Sequence, residues 1–269
     1  MDKQKMLSDL RGAKEIFVAM SLCTKMPYVV CDPETFDDEV LIYFSEEDMK
    51  REGKRLIEKK IPIQIAKVEA AQMLNFYANL YTMGVNCVLV NQYLDSETRI
   101  QLSELVHRPG NGKTPDGQVW IENPGLHLTA LYFMQELRRQ KLDALTDELK
   151  ELQEEILADY SKGQYIAAFH ENNGIPLLKQ QNGDAYQPIF TDALEFRKFN
   201  KDNQFKAVVV AATKIPEVLA GEAKGVVVNP FGVNLQLPIV KRAAKKPEGQ
   251  AAEGKPEEKP AEAAGEKAE

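Results

Sequence analysis

This chain has few of the residues on which most enzyme chemistry depends. Its 269 residues include three cysteines, three histidines and one tryptophan. Cys23, Cys31 and Cys87 form no CxxC pair and no even framework, which excludes a disulfide scaffold and suits a reducing cytoplasm. There is no long hydrophobic run either. The longest early one, residues 16–23, is too short to cross a bilayer. It makes a poor signal peptide, because Glu15 breaks the basic flank and no small-residue cleavage site follows, so it reads as a buried strand. Basic charge is also short. Against 41 Asp and Glu stand 34 Lys and Arg, and the net charge of −7 disfavours non-specific binding to nucleic acid or an anionic membrane. The remainder is an ordinary soluble balance, 43% hydrophobic and 28% charged, long enough for two modest domains that each bury a core.

What the sequence does contain is a repetition. Residues 40–49 read VLIYFSEEDM and residues 186–196 read YQPIFTDALEF. After the first come Lys67-Val68 and VLVN ending at Asn91; after the second come Lys214-Ile215 and VVVN ending at Asn229. Each half gives a strand closing in Phe, a hydroxyl cap, an acidic helix start and a second strand closing in Asn, which predicts a tandem α/β repeat. Phe44 and Phe190 are matched in this alignment.

Within the first half, residues 3–11 read as a helix and residues 16–20, 28–31 and 40–44 as strands. Ser45 caps a helix with Asp48 three residues on, and Pro62 argues for the first residues of the next strand or an edge position. Residues 68–83 read as a helix burying Ala71, Leu74, Ala78 and Tyr81. In the second half, residues 165–169, 175–178, 186–190, 205–211 and 225–228 read as strands. Thr191 caps one helix, residues 216–220 form a shorter one, and residues 235–240 close the sheet.

Asn123-Pro124 starts a helix expected to run to about Tyr160, with Leu142, Leu145, Leu149, Leu152 and Ile156 as an apolar stripe. The stripe covers too few heptads for a firm coiled coil, and packing on the repeats is the expectation. Residues 243–269 hold only Ala, Lys, Pro, Glu, Gly and Gln, a composition that cannot offset its ordering entropy by burial and reads as disordered.

The runs GIPLLKQQNGDAYQPIFTDALEFRKF and FKAVVVAATKIPEVLAGEAKGVVVNPFG resemble the SseB family, the enhanced serine sensitivity proteins of bacteria. The resemblance covers residues 164–237 well and the first half as a degenerate copy, where Gln92 and Tyr93 stand in place of Pro230 and Phe231. IENPGL at residues 121–126 resembles the family's leading helix. The resemblance implies a cytoplasmic mixed α/β protein and brings no catalytic residues.

Individual motifs add little chemistry. Gly112-Lys113-Thr114 lacks the earlier glycine of a phosphate loop, since His107 stands there, and Pro115 blocks the helix that should follow. His107, His127 and His170 lie at no metal-ligating spacing, and Cys87 sits in an apolar strand where a thiol packs. The acidic run from Asp32 to Glu39 lacks the alternation and glycine hinge of a calcium loop. No catalytic, cofactor or metal residues are assigned.

The sequence therefore predicts a mixed α/β tandem repeat. Residues 1–122 form the first unit, 123–160 a connecting helix, 161–242 the second unit and 243–269 a disordered tail. The expected function is a non-catalytic interaction or regulatory module binding a protein partner in a bacterial cytoplasm. Asn91, Tyr93, Asn229, Pro230 and Phe231 mark the interaction surface, and the connecting helix is a possible route to a homo-oligomer. The alternatives are a small-molecule sensor of an amino acid or nucleotide at the strand ends and, third, an enzyme.

Overall fold

A computed structural model of the chain describes residues 2–107, 120–139 and 143–241. The Gly112-Lys113-Thr114 loop, Leu142 and the tail from Ala243 lie outside the described residues. The first half contains α1 (Lys3–Gly12), β1 (Glu15–Ser21), β2 (Val29–Cys31), β3 (Asp38–Tyr43), α2 (Glu46–Glu58), β4 (Ile63–Glu69), α3 (Ala70–Thr82), β5 (Cys87–Val90), β6 (Thr98–Gln101) and α4 (Leu102–Leu105). After α5 (Pro124–Arg139) come α6 (Asp147–Lys162), β7 (Gln164–Phe169), β8 (Leu178–Lys179), β9 (Ala185–Phe190), α7 (Ala193–Phe199), β10 (Lys206–Ala211), α8 (Ile215–Val218), β11 (Ala223–Val228) and β12 (Leu235–Pro238).

The repeat is real and extends to strand order. One sheet runs β4-β1-β3-β5-β6 with β2 on β3; the other runs β10-β7-β9-β11-β12 with β8 on β9. In each, the parallel pair (β3 with β5, β9 with β11) sits at the same place and every other pairing is antiparallel. The residue alignment needs one correction. Ile42 lies opposite Val90 and Ile189 opposite Val228, each one residue before the asparagine. Tyr43 thus corresponds to Phe190, and Phe44 to Thr191. A slip of one residue changes the face of the sheet. Tyr43 and Phe190 both bury on the outer faces, whereas Phe44 packs against the central core. The helix caps shift with it. Ser45 Oγ accepts from the Asp48 N–H, and the equivalent residue, Asp192 rather than Thr191, accepts from the Leu194 and Glu195 N–H groups.

The expected long helix is two helices. Thr146 ends the connection after α5 by capping α6, its Oγ1 accepting from the Leu149 N–H at 3.3 Å, with Asp147 and Glu148 in the first turn. Leucine spacing runs on across that cap, which is why periodicity did not reveal the break. Leu149 and Ile156 are buried in the chain's own core and Leu145 and Leu152 pack against it, so these four residues of the stripe are engaged within the chain. Thr146→Ala should lower stability by about 1 kcal/mol, the usual cost of a lost N-cap. Urea unfolding with no change in midpoint would show the cap contributes nothing.

The buried face of α3 also differs from expectation. Met73, Tyr77 and Leu80 are buried, while Ala71 and Leu74 are exposed. Both sets have helical spacing, but the observed face removes more apolar area from water than one containing two alanines.

The two halves do not have separate cores. One cluster joins Leu10, Val40 and Val88 of the first half to Tyr165, Ile189 and Val226 of the second, through Leu126 and Leu131 of α5. Smaller clusters lie on the outer face of each sheet, against α2 and α7. Helix α5 is also stitched to both halves by polar bonds. The Gln135 amide exchanges two hydrogen bonds of 3.1 Å with the Val29 backbone, and the Tyr132 hydroxyl donates to Asp38 at 2.6 Å. At its start, the Asn123 amide donates to the carbonyls of Gln164 and Thr191.

Candidate functional site

The two strand-end asparagines do the same structural work. Asn91 and Asn229 have φ of 53° and 47°, a left-handed conformation that asparagine tolerates better than most residues. The Asn91 N–H donates to the Ile42 carbonyl at 2.8 Å and the Asn229 N–H to Ile189 at 3.0 Å. The Asn229 side chain then staples the neighbouring strand. Its Oδ1 accepts from the Thr191 N–H at 3.0 Å and its Nδ2 donates to Thr191 Oγ1 at 2.8 Å. The Asn91 amide faces the Phe44 N–H at 3.5 Å and donates to Ser96 at 3.0 Å. Both asparagines are buried and turned into the fold.

Two residues on, Tyr93 and Phe231 occupy equivalent positions and are 56% and 59% exposed. Arg55 stacks over Tyr93, its guanidinium carbon 4.7 Å from the ring centroid. Phe231 leans on Phe199, with centroids 5.9 Å apart, and Pro230 lies beside it. Together they border a groove of about 510 Å³ whose opposite lip is Cys23, Thr24 and Lys25, from the turn after β1. Arg138 ties the lips together, donating to the Cys23 carbonyl at 2.8 Å and the Asn234 carbonyl at 2.9 Å. Crowding by protein lowers its pKa. Lys25, Arg138 and Lys201 line the groove and form no ion pair among the described residues, while Lys198 is paired with Glu195, and Asp202 adds one carboxylate to the lining. On an acidic chain this is a locally cationic, aromatic-rimmed surface. The sequence flagged Pro230 and Phe231; the residues facing them are some 200 positions away and carried no local signal.

A second polar cluster was not foreseen. Arg99 Nε donates to Glu39 at 2.8 Å and its Nη2 to Asp32 at 2.6 Å, and Cys87 Sγ lies 3.7 Å from Glu39. Burial pushes Glu39 above the usual carboxylate range, with Arg99 pulling the other way. Asp37, Glu39 and Cys87 gather their ligand atoms within 4.8 Å. Arg99, however, already supplies the positive charge that a metal would bring. The register places Tyr186, Gly225 and Gln236 of the second half where the first has Glu39, Cys87 and Arg99. A side chain at Gly225 would run into the Leu237 carbonyl, so the second sheet has no room for this network.

The three thiols and the three histidines sit in different settings. All three thiols have raised pKa values with burial as the leading cause, Cys87 to about 12, the opposite of an activated cysteine. His127 is wholly buried, 3.4 Å from Thr191 Oγ1 and 3.7 Å from Asp192. Burial acts to raise Asp192, but the His127 ring, the Glu195 N–H and the Thr191 hydroxyl together hold it below the usual range. This buried set braces the start of α7. His170 Nδ1 accepts from the N–H groups of Asn172 and Asn173, and His107 is exposed. Among the described residues no helix is long and apolar enough to cross a membrane.

Fold and site together define a mixed α/β protein built from two like sheets around one core. Its second half matches the family model of the SseB protein N-terminal domain over residues 133–239, from within α5 to just past β12. The first half lies outside that match. No curated protein matches the chain. Among solved structures, Tic22 from Plasmodium falciparum is 12% identical with a TM-score of 0.22, covering 82% of this chain and 90% of that one. Anabaena Tic22, described as a protein of protein transport, is 10% identical with a TM-score of 0.21, covering 80% and 85%. Scores this low carry no argument about function.

Proposed function

We propose that the chain is a non-catalytic interaction module of a bacterial cytoplasm, where its three free thiols stay reduced, and that it holds a polypeptide partner in the groove between Phe231 and Lys25. The observation that carries this reading is the groove itself. It offers an exposed aromatic anchor beside three cations that form no ion pair among the described residues, with Asp202 as a carboxylate on the same lining, and it is fixed in shape because Arg138 bonds both lips. Aromatic and arginine side chains in such settings supply most of the affinity of protein interfaces. The complementary partner is a segment pairing a large apolar side chain with carboxylates. The inward-turned amides of Asn91 and Asn229 weigh against a small-molecule sensor built on them.

A random peptide library panned on the purified chain should enrich sequences that join Leu or Phe to Asp or Glu. Phe231→Asp should weaken a selected peptide by at least about tenfold, since each 1.4 kcal/mol is a factor of ten. Cys31→Ser, His107→Ala and His170→Ala should bind as the parent does. Enrichment of no common pattern, or equal binding by Phe231→Asp, would sink the proposal.

A further inference from the structure

The two edge strands that should be equivalent, β4 and β10, are treated very differently. Both are terminal in their sheets, pairing with β1 and β7 on one side only among the described residues. Strand β4 is sheltered. Helices α2 and α3, each of 13 residues, pack on it, and Ile63 and Val68 are buried. It also carries the usual guards of an edge: Pro62 just before it, Gln64 exposed, and Lys67 exposed and paired with Glu15 and Glu69. In the second half the corresponding helices have shrunk to seven residues in α7 and four in α8, and α7 packs on β9 and β7. Strand β10 is left bare. Val208 and Val209, which point to opposite faces of the sheet, are each 43% exposed. Its one charge is Lys206 at the first position, paired with Glu171. An edge of this length, apolar on both faces and without proline or an inner charge, is a template for another strand.

We propose that β10 pairs antiparallel with β10 of a second copy, joining two six-stranded sheets across a two-fold axis at Val209. The sequence of the strand selects this occupant. Residues 207–211 read Ala-Val-Val-Val-Ala, a palindrome about Val209. An isologous contact requires such self-complementarity. Centred on Val209, the pairing sets Val208 opposite Val210 of the partner subunit and Ala207 opposite Ala211 of the partner subunit. Every directly opposed pair is then β-branched on β-branched or alanine on alanine, the combination that stabilises cross-strand contacts. The two copies of Lys206 fall outside this block and do not meet. The chain's own uncharacterised segments are poor competitors for the edge. Residues 108–119 are broken by Pro109 and Pro115, and residues 242–269 contain no β-branched or aromatic residue.

The test is sedimentation velocity on the full chain at concentrations on the order of 100 μM, where a micromolar dimer is almost fully formed. The parent should sediment at twice the monomer mass. Val209→Lys sets two ammonium groups face to face on the axis and should give a monomer with an unchanged far-UV spectrum and melting temperature. In a Cys31→Ser background, Val209→Cys should form a covalent dimer under mild oxidation and Lys206→Cys should not, a readout that stands even if the lysine variant fails to fold. A monomeric parent, a dimer that survives Val209→Lys, or equal cross-linking at positions 206 and 209 would overturn the proposal.

Discussion

Replacing Asn229 with alanine should lower the unfolding free energy by about 3 kcal/mol, against about 1 kcal/mol for the same change at Asn91. Two costs add at position 229. The buried N–H of Thr191 loses its partner, 3.0 Å away, and its hydroxyl loses the amide donor 2.8 Å away while keeping Asp192, in a site closed to solvent. Alanine must also hold a φ of 47°, which strains any residue with an ordinary Cβ. Asn91 has the same backbone duty, but its contact with the Phe44 N–H is long, at 3.5 Å, and Ser96 lies at the surface side of the turn. Asn229→Gly separates the two costs, since it removes the strain and keeps the lost bonds, and should recover about 1 kcal/mol. Urea unfolding measures all three. An Asn229→Ala midpoint within error of the parent would mean that the staple contributes nothing. A change at Asn229 is therefore a test of the fold, and Phe231 is the residue with which to test binding.

Arg99→Met should cost about 2 kcal/mol at neutral pH, below the full range for breaking a buried pair because Arg99 is 39% exposed and water can reach the gap. The pH dependence identifies the cause. Burial raises the folded pKa of Glu39 above its unfolded value even with Arg99 present. A carboxyl raised in this way adds stability below its unfolded pKa and loses it as pH rises through the folded pKa. Without Arg99 the folded value climbs further, and the ionised carboxylate becomes costlier. The deficit of the variant should thus be largest at neutral pH and should shrink as pH falls through the raised pKa of Glu39. Asp32 titrates in a lower window. The N–H groups of Thr35 and Glu34 hold its carboxyl below the usual range, with Arg99 adding a smaller share. A deficit that held through the raised pKa of Glu39 and shrank only below the usual carboxylate range would assign the role of Arg99 to Asp32.

The duplication was legible because its markers are local. Each half ends its parallel strand in Asn and begins its next helix with a capping side chain, and these are short-range signals. The alignment was displaced by one because it matched phenylalanine with phenylalanine. Register is set by the face a residue must bury, and Tyr43 takes that role in the first half. The α3 face was missed for a related reason, since two helical stripes one residue apart have equal periodicity and only tertiary packing chooses between them. The Arg99 cluster was out of reach altogether. Its bonds join residues 60 and 67 positions apart, on strands whose pairing no local pattern announces.

One core serving both repeats also changes what kind of unit the chain is. A duplicated domain with its own interior can be cut out, exchanged or lost while its sibling persists. Here Leu126 and Leu131 of α5 fill space between the copies, so neither half is a part that recombination could move by itself. The copies must change in concert on their inward sides and are at liberty to diverge outward. The Arg99 network, confined to one outer surface, and the short α7 on the other are divergences of that kind.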